Sequence, residues 1–338
     1  LHLSLRRQRQ MCIRDRSTAE QNVAVGTTAL DAITTGDKNT AIGYNSLTAN
    51  TEGEFNVSIG RGAMTNNIDG DGNTAVGTAA MDGNTTASNN TAVGYNSLIT
   101  NSTAADNTAV GVNALQLNTA ANNTAVGKSA LANCVEAGNT AVGKSAGAEI
   151  TSGIRHTCIG YNAGGAMQTA NDITAIGWEA LDAATTGENV AIGSAALGAT
   201  VGGTNNVAVG NWTLDANIGG GSNTAVGHSA LSANTSASHN TAVGREALVL
   251  VNTGAYNTAV GSLAGDSITD GHSNVIMGYA AADEISSGIH NTVMGKAALS
   301  AGNSSYNVVI GSVAMEVGYG DSNLSLIHIS EPTRPLYI

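Results

Sequence analysis

Asn90-Thr91-Ala92-Val93-Gly94-Tyr95-Asn96-Ser97-Leu98 decides the reading of this chain, because close copies of it recur along almost the whole length. Marked by its glycine, the unit falls at Gly26, Gly43, Gly60, Gly77, Gly94, Gly111, Gly127, Gly143, Gly160, Gly177, Gly193, Gly210, Gly227, Gly244, Gly261, Gly278, Gly295 and Gly311. These are 18 copies, spaced 17 residues apart thirteen times and 16 residues apart four times. So short and regular a period leaves room for one small supersecondary unit per copy, the signature of a solenoid.

Positions are counted from each glycine. Three before it stands Thr or Val, and one before it Val, Ile or Met, in all 18 copies. Residues two apart on a strand share a face, so this β-branched pair is expected to fill the coil's own interior. The residue between them is Ala in 13 copies and should then form a thin apolar stripe on the outside. Four after the glycine comes Leu or Met in 14 copies; the exceptions, Gly147, Gly164, Gly265 and Ala282, are followed three residues later by Ile150, Met167, Ile268 and Ile285. Volume lost at one site is supplied from the other, as close packing requires. Apolar residues alternate at period two rather than 3.6, so the expected coil is strand, turn, strand, turn, with bends at Asn, Asp, Gly and Ser. The fold class is all-β: a parallel β-roll or β-solenoid of about 18 coils, with ladders stacked at about 4.8 Å. Asn opens 16 of the 18 copies, His156 and Ile173 being the exceptions, and stacked Asn side chains can hydrogen-bond along the axis.

The solenoid is assigned to residues 18–324. Residues 1–17 and 325–338 match no copy; Met11-Cys12-Ile13-Arg14-Asp15-Arg16-Ser17 and Ser325-Leu326-Ile327-His328-Ile329-Ser330-Glu331-Pro332 resemble translated adaptor read-through and are assigned as non-native tails. These tails hold 6 of the 13 basic residues and 2 of the 25 acidic ones, leaving 7 against 23, or about −16, on the repeats. A surface this acidic argues against nucleic acid as a partner. No apolar run approaches the length of a membrane span.

Five of the seven remaining cations follow a glycine directly, and the same position carries aromatic residues. The row Tyr44, Arg61, Tyr95, Lys128, Lys144, Tyr161, Trp178, Arg245, Tyr279 and Lys296 is the candidate surface-binding feature. Aromatic rings and cations in one row suit contact with a cell-surface glycan or receptor; the plainer account is solvated turns and contacts with a neighbouring chain. No constellation departs from the repeat as catalysis would require, so no catalytic residue, cofactor or metal ligand is assigned. His156, His228, His239, His272 and His290 are expected as scattered polar surface residues, and Asp69-Gly70-Asp71-Gly72-Asn73 as a turn rather than a calcium loop. Cys134 and Cys158 occupy non-equivalent positions, which disfavours a disulfide framework.

An outward alanine stripe would be covered by identical chains around an axis, and a homotrimer is expected; Ala208→Glu should then split it while leaving β-structure intact. Asn-Thr-Ala-Val-Gly with a following Ala/Ser-Leu resembles the left-handed β-roll heads of trimeric autotransporter adhesins. It is also similar to shaft repeats of phage tail fibres that end in an endosialidase-type chaperone. The resemblance spans residues 22–323 and implies a left-handed, homotrimeric, non-enzymatic shaft or adhesive head on a virion or cell surface. The resemblance does not extend to the adhesins' anchor and stalk or to the fibres' chaperone, as expected if the sequence is a fragment of a longer protein truncated on both sides. Two readings from other classes are an ice- or surface-binding solenoid, weakened if the Thr row faces inward, and the spacer of an enzyme whose catalytic domain is missing.

Overall fold

The computed structural model describes residues 19–185, 187–300, 302–315 and 320–325. The two segments assigned as tails lie outside these residues, apart from the backbone of Ser325. The described residues are all-β, without a helix. The chain forms two compact units, Leu1–Thr185 and Thr186–Ile338.

In the first unit ten three-residue strands run from β1 (Val23–Val25) to β10 (Thr174–Ile176), one per repeat. Each pairs in parallel with the next in strict repeat register, from Val23 with Thr40 to Thr157 with Thr174. The second unit repeats the plan from β11 (Val190–Ile192) through β18 (Val308–Ile310) to a two-residue β19 (Leu324–Ser325), again parallel and in register. The expected parallel solenoid is therefore present, with about one coil per repeat.

The expected second strand of each coil is absent among the described residues. Its place is taken by turns containing left-handed residues two and four positions after the glycine; a third such residue lies five before it, as in Thr28, Leu30 and Lys38 with φ of 58°, 53° and 59°. A non-glycine residue in this region costs roughly 1–2 kcal/mol, so hydrogen bonding between coils must hold it there. The N–H four after each glycine donates to the carbonyl three after the next, as in Leu47 to Ala63 at 3.0 Å, while the N–H two after donates back, as in Asn113 to Tyr95 at 3.0 Å. These turns thus stack by the same alternation that joins parallel strands, without an extended backbone. The marker glycine obeys a stricter demand: Gly43 has φ +138°, and a Cβ on it would sit on the carbonyl oxygen of Gly60.

Which face is inside is the main correction. The central alanines Ala41, Ala75, Ala92, Ala109 and Ala208 are fully buried, whereas the flanking Val and Ile lie outward, with Ile42 38%, Val142 38% and Val243 37% exposed. The interior is thin, and the Leu or Met four after the glycine already fills it, so only a small residue fits beneath the strand. Where Ser58 replaces Ala it stays inside, bonding Ser46 Oγ at 2.7 Å and the Ala63 carbonyl at 2.9 Å. Cys158 at the same position is buried, and desolvation pushes its thiol up to about 12. The predicted exchange of core volume is seen directly. A Cβ on Gly147 would meet Ile150 Cδ1 at 2.7 Å and Leu131 Cδ2 at 3.0 Å; one on Gly265 would meet Ile276 Cδ1 at 2.9 Å and Ile268 Cδ1 at 3.1 Å.

The asparagine ladder is also present and is buried. From Asn22 to Asn139 and again from Asn189 to Asn307, Oδ1 accepts the backbone N–H of the next Asn, as from Asn56 to Asn39 at 2.9 Å and Asn240 to Asn223 at 3.0 Å, while in many 17-residue coils Nδ2 donates to a turn carbonyl fourteen residues on, as Asn56 to Gly70 at 2.8 Å. The 16-residue copies keep the ladder, with Asn123 N–H to Asn107 Oδ1 at 2.9 Å. A shorter second ladder, not anticipated, joins Asn67 to Asn50 at 2.7 Å and Asn84 to Asn67 at 2.6 Å, seven after the glycine.

Candidate functional site

The residue after each glycine lies two beyond the outward Val or Ile, so it continues the same outer face. All ten members of the predicted row are exposed. In the first unit, Tyr44, Arg61, Tyr95, Lys128, Lys144, Tyr161 and Trp178 stand on the second, third, fifth, seventh, eighth, ninth and tenth coils. In the second unit the row holds Arg245, Tyr279 and Lys296. Two contacts use it: Lys144 Nζ lies 5.2 Å from the centre of the Tyr161 ring, and Arg245 Nη1 pairs with Glu246 at 2.6 Å.

Beside this row the strands present a strip of Thr or Val, half-buried for the most part, and of Val, Ile or Met about a third exposed. The Thr hydroxyls therefore point outward, not inward as expected from sequence. Within each unit this face repeats coil after coil in register, so the strip is continuous along the ladder.

A second exposed row, five before the glycine, escaped the sequence reading although it shares the same period. Lys38 Nζ lies 4.5 Å over the Phe55 ring, and Arg155 Nε meets Asp172 at 2.5 Å. Further along, His239 stacks on Tyr256 at 5.0 Å with planes 6° apart, and His290 on Tyr306 at 5.1 Å. The pair Trp212 and His228 meets edge-on at 5.2 Å on the other side of the glycine. These contacts join successive coils, so the histidines involved are part of the lateral stacking rather than scattered.

His156 departs from its expected surface position altogether. It occupies an asparagine place in the ladder and is buried, 2% exposed. Its N–H still donates to Asn139 Oδ1 at 3.0 Å, but neither ring nitrogen has a hydrogen-bond partner, the Ala170 carbonyl standing outside bonding geometry. Desolvation lowers its pKa to about 4. Among the acids, burial raises the Asp182, Asp215 and Asp266 carboxyls, the last also through Asp283. The Asp69–Asn73 stretch is a turn in which Asp71 Oδ1 accepts the Glu54 N–H at 2.7 Å and the Asp71 N–H donates to Ser88 Oγ at 2.9 Å. Cys134 and Cys158 are both free and buried. No group of three or more metal-binding side chains occurs among the described residues, and no helix there is long and apolar enough to cross a membrane.

No family model matches this chain, and no curated protein matches it significantly.

Proposed function

We propose that the chain is a non-enzymatic shaft or adhesive head of a phage tail fibre or bacterial surface adhesin, a left-handed solenoid that assembles as a homotrimer and attaches to a cell-surface glycan or receptor. The observation that carries the assembly is the outward strip of Val, Ile and Met. A side chain of this size about a third exposed presents roughly 50 Å² to water, so ten coils present about 500 Å² from this row alone. That is already near the largest patch an ordinary monomer leaves open, and the adjoining Thr and Val row brings it towards one partner's share of a standard interface. Copies of one chain, each with the same strip at the same pitch, bury it along its length. The aromatic and basic row then stands at the margin of that interface, repeated around the axis, where many weak contacts add through avidity. Light scattering behind size exclusion on the full chain tests this reading: a mass near three chains supports it, and a monomer at micromolar concentration overturns it.

A second reading is favoured by one observation, the outward Thr row. A face bearing Thr and Val in register from coil to coil is suited to adsorption on an ordered solid such as ice. A monomer showing thermal hysteresis would establish that reading in place of the first; a chain without hysteresis excludes it.

A further inference from the structure

We propose that the notch over Gly62 in the first unit is a subsite for a single sugar residue that carries a carboxylate. This rests on the reading of the aromatic and basic row as a contact face and assigns one place on it a ligand class.

A cavity of about 300 Å³ opens among Tyr44, Arg61, Gly62, Thr78, Ala79 and Asp82 on three successive coils. Its cause lies two positions after the glycine. That position is left-handed in Asn45, Ala79 and Asn96 alike, with φ of 54°, 55° and 54°. Gly62, at φ +64°, is therefore not required by the backbone there; what distinguishes it is the missing side chain. A Cβ on Gly62 would meet nothing nearer than Thr65 Oγ1 at 3.5 Å. With Ala79 next in line, two small residues in consecutive coils lower the floor, whereas Asn45 and Asn96 stand on either side. The floor's own donors are used within the fold: Gly62 N–H bonds the Tyr44 carbonyl at 2.8 Å and Ala79 N–H the Arg61 carbonyl at 3.0 Å.

The walls offer unused chemistry. Among the described residues the ion pairs are Arg155 with Asp172 and Arg245 with Glu246, so the Arg61 guanidinium and the Asp82 carboxylate have no charged partner. Arg61 presents a planar fork matched to a carboxylate. Tyr44, 53% exposed, supplies an apolar ring beside it, and the Asp82 carboxylate and Thr78 hydroxyl can bond to sugar hydroxyls. A neutral sugar leaves the Arg61 charge unmatched, and a simple anion leaves the ring and Asp82 unused; an acidic pyranose engages all of them. The volume is at the lower end of ligand pockets and suits one ring. With the repeats acidic overall, attraction is local to Arg61, and affinity at one site is weak, as avidity binding tolerates.

The test titrates the full chain with methyl glucuronide, methyl glucoside and acetate, read by saturation-transfer NMR. Methyl glucuronide is expected to bind about tenfold or more tighter than the glucoside, and acetate not to compete. Gly62→Asn, the residue of the neighbouring coils and compatible with the same φ, should abolish glucuronide binding with β-structure and mass unchanged. Arg61→Gln should remove the preference for the acid, and Arg245→Gln should leave it. Equal binding of the two glycosides, competition by acetate at equal concentration, undiminished binding in Gly62→Asn, or no glucuronide binding each overturns the subsite. Because mass is read on the same samples, failure here with a trimeric mass leaves the assembly standing, while binding by a monomer overturns the assembly alone.

Discussion

His156→Asn restores the ladder residue at the one place in the first unit where a titratable group replaces it, and the expected effect can be worked through. The buried ring has a pKa of about 4 against 6.5 for a solvated histidine. A depressed basic group binds its proton more readily in the unfolded chain, so stability is retained above about pH 6.5 and is lost as pH falls towards 4. Between pH 7.5 and 4.5 the loss is about 2.5 kcal/mol, close to seventyfold in the local opening equilibrium. At neutral pH the substitution should also stabilise, because two unpartnered ring nitrogens give way to an amide that can bond along the axis; a gain of about 1 kcal/mol is expected. The raised Asp182 carboxyl works the other way in acid, and Arg155 and Asp172 border the histidine, so the informative quantity is the difference between the two proteins. The readout is amide hydrogen exchange at Thr140–Val142 and Thr157–Ile159, corrected for intrinsic rates, because array unfolding need not be all-or-none. Wild type should lose roughly seventyfold more protection than His156→Asn over this interval. Equal losses would refute the burial of a neutral histidine in the ladder.

Other consequences follow from packing and backbone geometry. Gly147→Leu alone should destabilise by about 2 kcal/mol or more, since its side chain meets Ile150 and Leu131, whereas Gly147→Leu with Ile150→Asn recreates the common coil and should recover most of the loss in a double-mutant cycle. Asp106→Gly, at an exposed residue held at φ 60°, should raise the melting temperature slightly, by about 0.5–1 kcal/mol of relieved strain; a lower melting temperature would show that the carboxylate has an unrecognised role.

Much of this fold is legible as periodicity. The glycine spacing gives the coil, its period gives parallel register, and the exchange between Gly147 and Ile150 reveals a shared core before any coordinates. The inside and outside of the strand were read in reverse, because β-branched residues on a strand ordinarily pack inward, while this coil's cross-section is already occupied by leucine. A signal existed: the larger residues at the alanine position, Cys158 and Ile276, sit near small residues at the leucine position, Gly164 and Gly265, a coupling that only an inward alanine row explains. The single strand per coil was hidden for another reason. Leu30 and Leu47 carry no local preference for positive φ, and stacking between coils overrides their propensity. Of the candidate site, the glycine-following row was visible as composition, while the notch at Gly62 depends on two small residues becoming neighbours only through coil stacking.

The most direct test of the account compares Ala208→Glu with Val243→Glu by circular dichroism and mass. Ala208 is fully buried and Val243 is 37% exposed. A buried, unpaired carboxylate beneath the strand should disrupt the second unit, costing several kcal/mol, so Ala208→Glu is expected to lose β-structure. Val243→Glu should keep its β-structure and dissociate to a smaller species. The opposite pattern, a folded Ala208→Glu that dissociates and an unaffected Val243→Glu, would contradict both the inward alanine row and the proposed interface.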